Sequence, residues 1–215
     1  MRRRHLCGMN RRRLLRATLA ALPFLPALAA HAQAPDPAVA RVEAYLNALT
    51  TLRARFLQVA DNGASAQGTA WIWRPGRMRF DYDPPEPLLL VASGGQVMMY
   101  DRELRQPSTV PASTTPLGVL LRERIRLSGD ITVSAVERRG GFLSVTLHRT
   151  EAVAEGRLTL TFEETPMQLR QWQVVDAQGR RTQVTLYEID TTTRPDARIF
   201  DFNDPRFLEA ESARR

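Results

Sequence analysis

Apolar and polar positions along this 215-residue chain change their period once, and the change separates one helix from a long run of strands. Val39, Val42, Leu46 and Leu49 recur at helical spacing and so place an apolar stripe on one face of a helix. Asp36-Pro37 supplies its start, with Asp as N-cap and Pro at the first helical position. The stripe runs out near Thr50. From there the period falls to two, and short apolar segments are punctuated by turns such as Asp61-Asn62-Gly63, Arg74-Pro75-Gly76, Asp83-Pro84-Pro85 and Ser93-Gly94-Gly95. That pattern predicts antiparallel strands over 52–60, 67–73, 77–82, 88–92, 97–100 and 104–110. It predicts five more over 131–136, 142–148, 157–162, 169–175 and 181–189. Thr115-Pro116 interrupts them as a second helix start, although Gly118 costs a helix about 1 kcal/mol. The proline-bearing stretch 107–116 is the least regular and the best candidate for a mobile loop. Ile199, Phe200, Phe202 and Phe207 form a closing apolar cluster. Consecutive hairpins with two helices predict one large curved sheet or barrel, since parallel folds need long crossover helices.

The first residues follow a different logic. Seven arginines up to Arg16, an apolar stretch over 14–30 and the triplet Ala30-His31-Ala32 are the three parts of a cleavable export signal. A membrane-spanning helix would need roughly 20 apolar residues, and this stretch is broken by Arg16, Pro23 and Pro26. Asn10-Arg11-Arg12-Arg13-Leu14-Leu15-Arg16 is similar to a twin-arginine address, and an ordinary basic leader remains open beside it. Cleavage near Ala32 would leave one domain over 33–215, working outside the cytoplasm. Cleavage also changes the charge. Of 30 basic residues against 23 acidic ones, seven lie in 1–32 with no acid among them, leaving 23 against 23. The apparent net charge of +7 therefore argues for no nucleic-acid partner. The single cysteine, Cys7, leaves with the leader, so 33–215 has no disulfide available and must be stabilised by burial.

Catalytic and metal-binding patterns are missing from 33–215. One histidine, His148, and no cysteine fall short of a zinc set. The chain has no lysine, no nucleophile elbow and no phosphate or dinucleotide loop. Glu163-Glu164 are adjacent on a strand and point to opposite faces, so they do not converge on a substrate. The reading is a non-enzyme without cofactor or metal.

Residues 68–100 carry the positive signal. Trp71, Ile72, Trp73, Met78, Phe80, Tyr82, Leu88, Leu89, Leu90, Val91, Met98, Met99 and Tyr100 fall in four short strands. Trp, Met and aromatic side chains adapt to irregular apolar ligands. On 77–82 the alternation is strict, with Met78, Phe80 and Tyr82 on an apolar concave face and Arg77, Arg79 and Asp81 on a solvated convex one. Composition leaves a ligand cavity and a packed core both open. The order and spacing of several pieces resemble the outer-membrane lipoprotein carrier family, the LolA-type periplasmic chaperones. These are Phe56-Leu57-Gln58, the run from Gly68 through Trp71-Ile72-Trp73-Arg74-Pro75-Gly76 to Met78-Arg79-Phe80-Asp81-Tyr82, Tyr100-Asp101, Thr115-Pro116-Leu117, Asp176-Ala177-Gln178-Gly179 and Phe200-Asp201-Phe202. Gly94-Gly95 and Met98-Met99 depart from the family pattern, as do Gly118 and the charged Arg122-Glu123-Arg124.

The resemblance implies a mainly β fold: an unclosed antiparallel β-barrel with an N-terminal helix and a short helical lid over a hydrophobic cavity. It implies acyl chains bound by Ile72, Met78, Phe80, Tyr82, Leu88, Leu90, Met98 and Tyr100, under a lid bearing Leu117, Leu120 and Leu121. Arg74 matches the arginine that holds the lid closed, with a solvent-facing strand-end role as the plain alternative. The implied partners are acylated lipoproteins, an inner-membrane lipoprotein-releasing ABC transporter and an outer-membrane lipoprotein acceptor, with the chain itself a monomer. A lipid-sensing or regulatory module of similar half-barrel shape is the other expectation, and a periplasmic hydrolase a third.

Overall fold

The computed structural model describes residues 36–213. The leader, its cleavage near Ala32, the twin-arginine pattern and Cys7 lie outside those residues. Helix α1 (Pro37–Ala48) opens as its sequence directs: the Asp36 carboxylate accepts from the Ala38 N–H at 2.8 Å, and Ala38, Val42 and Leu46 are buried. It stops at Ala48, two residues before the expected Thr50.

Eleven strands follow: β1 (Thr51–Ala60), β2 (Ser65–Trp73), β3 (Arg77–Tyr82), β4 (Leu88–Ser93), β5 (Gln96–Asp101), β6 (Gln106–Pro111), β7 (Ile131–Arg139), β8 (Phe142–Arg149), β9 (Gly156–Glu164), β10 (Met167–Asp176) and β11 (Arg181–Asp190). Each matches an expected strand to within a few residues. They form one antiparallel sheet in the order β6-β5-β4-β3-β2-β1-β11-β10-β9-β8-β7. The chain thus leaves the middle at β1, meanders out to β6, crosses to the far edge at β7 and meanders back to β11 beside β1. β6 and β7 are unpaired edges, so the sheet is curved but not closed.

Two differences concern the crossing. The stretch 107–116, the best candidate for a mobile loop, overlaps the strand expected over 104–110 and begins as edge strand β6, paired with β5 from Gln96↔Pro111 to Asp101↔Gln106. Every residue of β6 is exposed, and Pro107 and Pro111 cannot donate to a further strand, which blunts this edge. The lid is two short 3-10 pieces, Ala112–Thr114 and Pro116–Leu121, in place of an α-helix. Gly118 sits where a Cβ would lie 2.0 Å from the Ala112 carbonyl oxygen, so the tight lid turn requires glycine.

The concave side of the sheet, α1 and the lid share one core. It runs from Val42, Leu46 and Leu52 through Phe56, Ile72, Met78 and Phe80 to Val119, Leu120, Leu121, Ile125, Leu160, Phe162 and Trp172. A second, smaller core lies on the convex side, where Leu89, Val91, Met98 and Tyr100 meet Phe200 and Phe207. Its cover is a 3-10 turn, Ala197–Phe200, and helix α2 (Pro205–Ala213), which the sequence reading saw only as an apolar cluster. Among the described residues no helix is long and apolar enough to cross a membrane.

Candidate functional site

The inner wall of the curved sheet is built by the alternation on β2 and β3. Ile72, Met78, Phe80 and Tyr82 are all buried in the concave core, and Leu88 and Leu90 lie half-buried against it. Edge-to-face rings floor the wall: Phe56 lies 5.2 Å from Phe80 and 5.1 Å from Tyr82, and Phe80 lies 5.8 Å from Trp172. Tyr82 donates to Gln58 Oε1 at 2.8 Å, and burial pushes its phenol up to about 12. Opposite Phe56, Gly68 leaves no room for any side chain, since a Cβ would meet the Asp81 carbonyl oxygen at 2.1 Å.

Met98 and Tyr100 need correcting. The register pairs Ala92 with Val97, Val91 with Met98 and Leu89 with Tyr100. Cross-strand partners share a face, so Val97 joins Ala92 on the concave side while Met98 and Tyr100 belong to the convex core. All four residues from Val97 to Tyr100 are apolar, and period two cannot choose between faces when both are covered. The convex face at Arg79 and Asp81 is likewise not solvated. Arg79 is only 2% exposed. It donates to Asp81 Oδ2 at 2.7 Å, to Glu211 Oε1 at 3.0 Å and to the Ile199 carbonyl at 3.0 Å. Arg102 bridges Asp81 and Glu211 from the other side. Burial raises the Asp81 carboxyl, and the two guanidiniums outweigh it and hold the group below its ordinary value. Arg79 and Glu211 thus bury together beneath α2, with Arg102 and Asp81 half-buried beside them, which the sequence could not reveal because Glu211 lies 132 residues from Arg79.

Arg74, at the end of β2, is buried among backbone carbonyls. Its Nη1 donates to the carbonyls of Leu46 and Leu49, at the last turn of α1, the latter at 3.2 Å. Its Nη2 donates to the carbonyls of Arg122 at 2.7 Å and Glu123 at 3.3 Å, just past the lid. Terminal helix carbonyls lack partners within the helix and carry partial negative charge, so a guanidinium satisfies them. Among the described residues no carboxylate forms an ion pair with Arg74, its Nε has no partner, and burial lowers its pKa. One buried cation therefore ties α1 to the lid through neutral acceptors alone.

Other polar contacts join the same pieces. Asn47 on α1 donates to the Ile125 carbonyl at 2.8 Å and accepts from the Ile125 N–H at 2.9 Å. Glu43 accepts from the Leu127 N–H at 2.9 Å, and the Gly76 N–H donates to the Leu121 carbonyl at 2.8 Å. Asn47 and Glu43 were missed because their partners lie about 80 residues along the chain. Leu120 and Leu121 are buried in the concave core and Leu117 packs against it, so the lid fills part of the interior. Among the described residues a cleft of about 400 Å³ opens where the lid meets the ends of β7, β8 and β9, and a second space of about 380 Å³ lies between Val39 on α1 and Val133 and Val136 on β7. Val119, Leu121, Ile131, Leu147 and Leu158 supply the apolar wall of the cleft. Ile72, Met78 and Phe80 are buried in the core and do not line it.

Glu163 and Glu164 diverge, Glu163 pairing with Arg170 at 2.6 Å and Glu164 with Arg41 at 3.1 Å. His148 stands half-buried near the rim of the cleft. Among the described residues no three His, Cys, Asp or Glu side chains gather as a metal site would require.

Comparison with known proteins adds to this geometry. Residues 47–203 match the family model described as "Outer membrane lipoprotein carrier protein LolA". An outer-membrane lipoprotein carrier protein of Chromohalobacter salexigens is 31% identical, over 83% of this chain and 89% of its own. One of Pseudomonas aeruginosa is 27% identical over 90% of this chain and 96% of its own. Among solved structures, a DUF1329 family protein from Desulfovibrio piger shares the fold at a TM-score of 0.50 and 8% identity, over 77% of this chain and 95% of its own.

Proposed function

The chain belongs to the outer-membrane lipoprotein carrier family, and on that premise we propose that it is a non-enzymatic periplasmic chaperone whose barrel takes up the acyl chains of lipoproteins. The observation that carries this reading is the buried Arg74, tethering the lid to α1 over an apolar, unclosed barrel. Burying an acyl chain releases about 0.8 kcal/mol per methylene. That is enough to displace Leu117, Leu120 and Leu121 and to break a few neutral hydrogen bonds worth about 1 kcal/mol each. Because the closed state buries those leucines in the same place, empty and loaded forms stay close in free energy, and cargo can leave again. Ile72, Met78, Phe80, Tyr82, Leu88 and Leu90 would form the acyl-binding wall. Exported past the inner membrane and freed of residues 1–32, a monomer would accept lipoprotein from an inner-membrane lipoprotein-releasing ABC transporter. It would pass its load to an outer-membrane acceptor, with no cofactor and no nucleic acid involved.

The test is Phe80→Glu, which puts a charge against the acyl chains. An unpaired carboxylate costs several kcal/mol wherever it is buried, so the variant should unfold at lower urea than wild type and, where its strand circular dichroism persists, lose at least tenfold in affinity for an acylated peptide. Undiminished binding of acylated peptide by folded Phe80→Glu would overturn the reading.

A further inference from the structure

The convex face carries a feature that acyl binding does not use. Trp71 and Trp73, on the outward side of β2, are each overlain by arginine. Arg53 Cζ lies 5.1 Å from the Trp71 ring centroid. Arg77 and Arg194 Cζ lie 4.5 and 4.7 Å from that of Trp73, so these two cations are no more than 9.2 Å apart. None of the three arginines forms an ion pair or donates a side-chain hydrogen bond among the described residues. The nearest carboxylate in register is Asp190, opposite Arg53, and its oxygens are held by Thr192 and Thr193. A separation of this size is within the screening length of about 10 Å at about 0.1 M ionic strength, so the charges repel and favour an anion beside them. Stacking on an indole engages the charge of a guanidinium and leaves its N–H donors for phosphate or carboxylate oxygens.

We propose that this arginine–tryptophan patch is a docking surface for an anionic phospholipid membrane. Indole and guanidinium groups together suit the headgroup layer, where an apolar body and a polar edge are both satisfied. A convex, half-exposed patch meets a flat lipid surface without the recess that a peptide loop would need. Weak, salt-sensitive contact of this kind holds the protein near a bilayer and does not insert it. The proposal does not depend on what the barrel holds.

The experiment is flotation of the protein with phosphatidylcholine vesicles, with and without phosphatidylglycerol, at low and high salt. Wild type should float with the phosphatidylglycerol vesicles alone, and salt should release it. At roughly fivefold per arginine near an anionic surface, replacing all three by Gln should weaken binding on the order of 100-fold. Arg194→Glu, in an exposed loop, gives a second variant should the triple one misfold, and it should weaken binding more than Arg194→Gln. Uptake of a fluorescent fatty acid by the triple variant should stay at the wild-type level, which separates this surface from the cavity. Equal binding to both vesicle types, a triple variant that floats like wild type, or capture by soluble polyglutamate in place of vesicles would each overturn the proposal.

Discussion

Arg74 shows how one side chain can be legible in type and illegible in role. Its position after an apolar strand and before Pro75-Gly76 is plain from the sequence. Its acceptors lie 25 to 49 residues away and meet only in the fold. Arg74→Ala removes those bonds and leaves the last carbonyls of α1 without donors. About 4 kcal/mol of stability should be lost, at roughly 1 kcal/mol for each of the four bonds, measurable by urea unfolding. Amide exchange should accelerate over 112–127 more than over β1 and β11. Uniform acceleration along the chain would mean that Arg74 acts on the whole barrel and not on the lid.

At the scale of elements, the convex side is where expectation and structure part. Strict alternation on β3 suggested a wet face, because Arg77, Arg79 and Asp81 are charged. The contrary signal stood in the neighbours: β4 and β5 are apolar at nearly every position, as strands covered on both faces are. What covers them, α2, has too short an apolar stripe to be read without its partner. Glu211→Gln leaves Arg79 and Arg102 sharing Asp81 alone, and should cost about 3 kcal/mol, the scale for breaking a buried pair. Limited proteolysis should then cut within 201–213 while the barrel stays intact. Asp81 adds a pH dependence of definite sign. Its folded carboxyl titrates below the ordinary 3.8, so its contribution is complete above that value and is lost as pH falls through the lower folded one. Trp73, 6.1 Å from Phe200, should report the release of this cover by a fluorescence change below about pH 4 and none between pH 5 and 8.

For the whole molecule, the topology gives the lid its place, because the β6–β7 connection joins the two edges of the sheet. A chain that builds one meander out to β6 and a second back from β7 needs a connection between the two edges, and here it runs over the concave side. Its apolar residues Val119, Leu120 and Leu121 face inward and are buried in the concave core. Saturating acyl peptide should therefore lower amide protection over 112–127, where the lid yields, and leave β1, β2 and β11 unchanged. Protection rising throughout that segment would show cargo bound beneath a closed lid.

Local pattern by itself determined the N-cap of α1, the run of strands, the turns between them and the absence of a metal or nucleophile pattern. Each of these depends on neighbours within a few residues, where propensity and period act. Tertiary structure alone decided which face of β5 looks inward, why Gly68 and Gly118 admit no side chain, and where the charges of Arg74, Arg79 and Glu211 go. Those outcomes rest on register and on contacts between distant segments. A buried charge in particular is stable only beside partners that the fold brings to it.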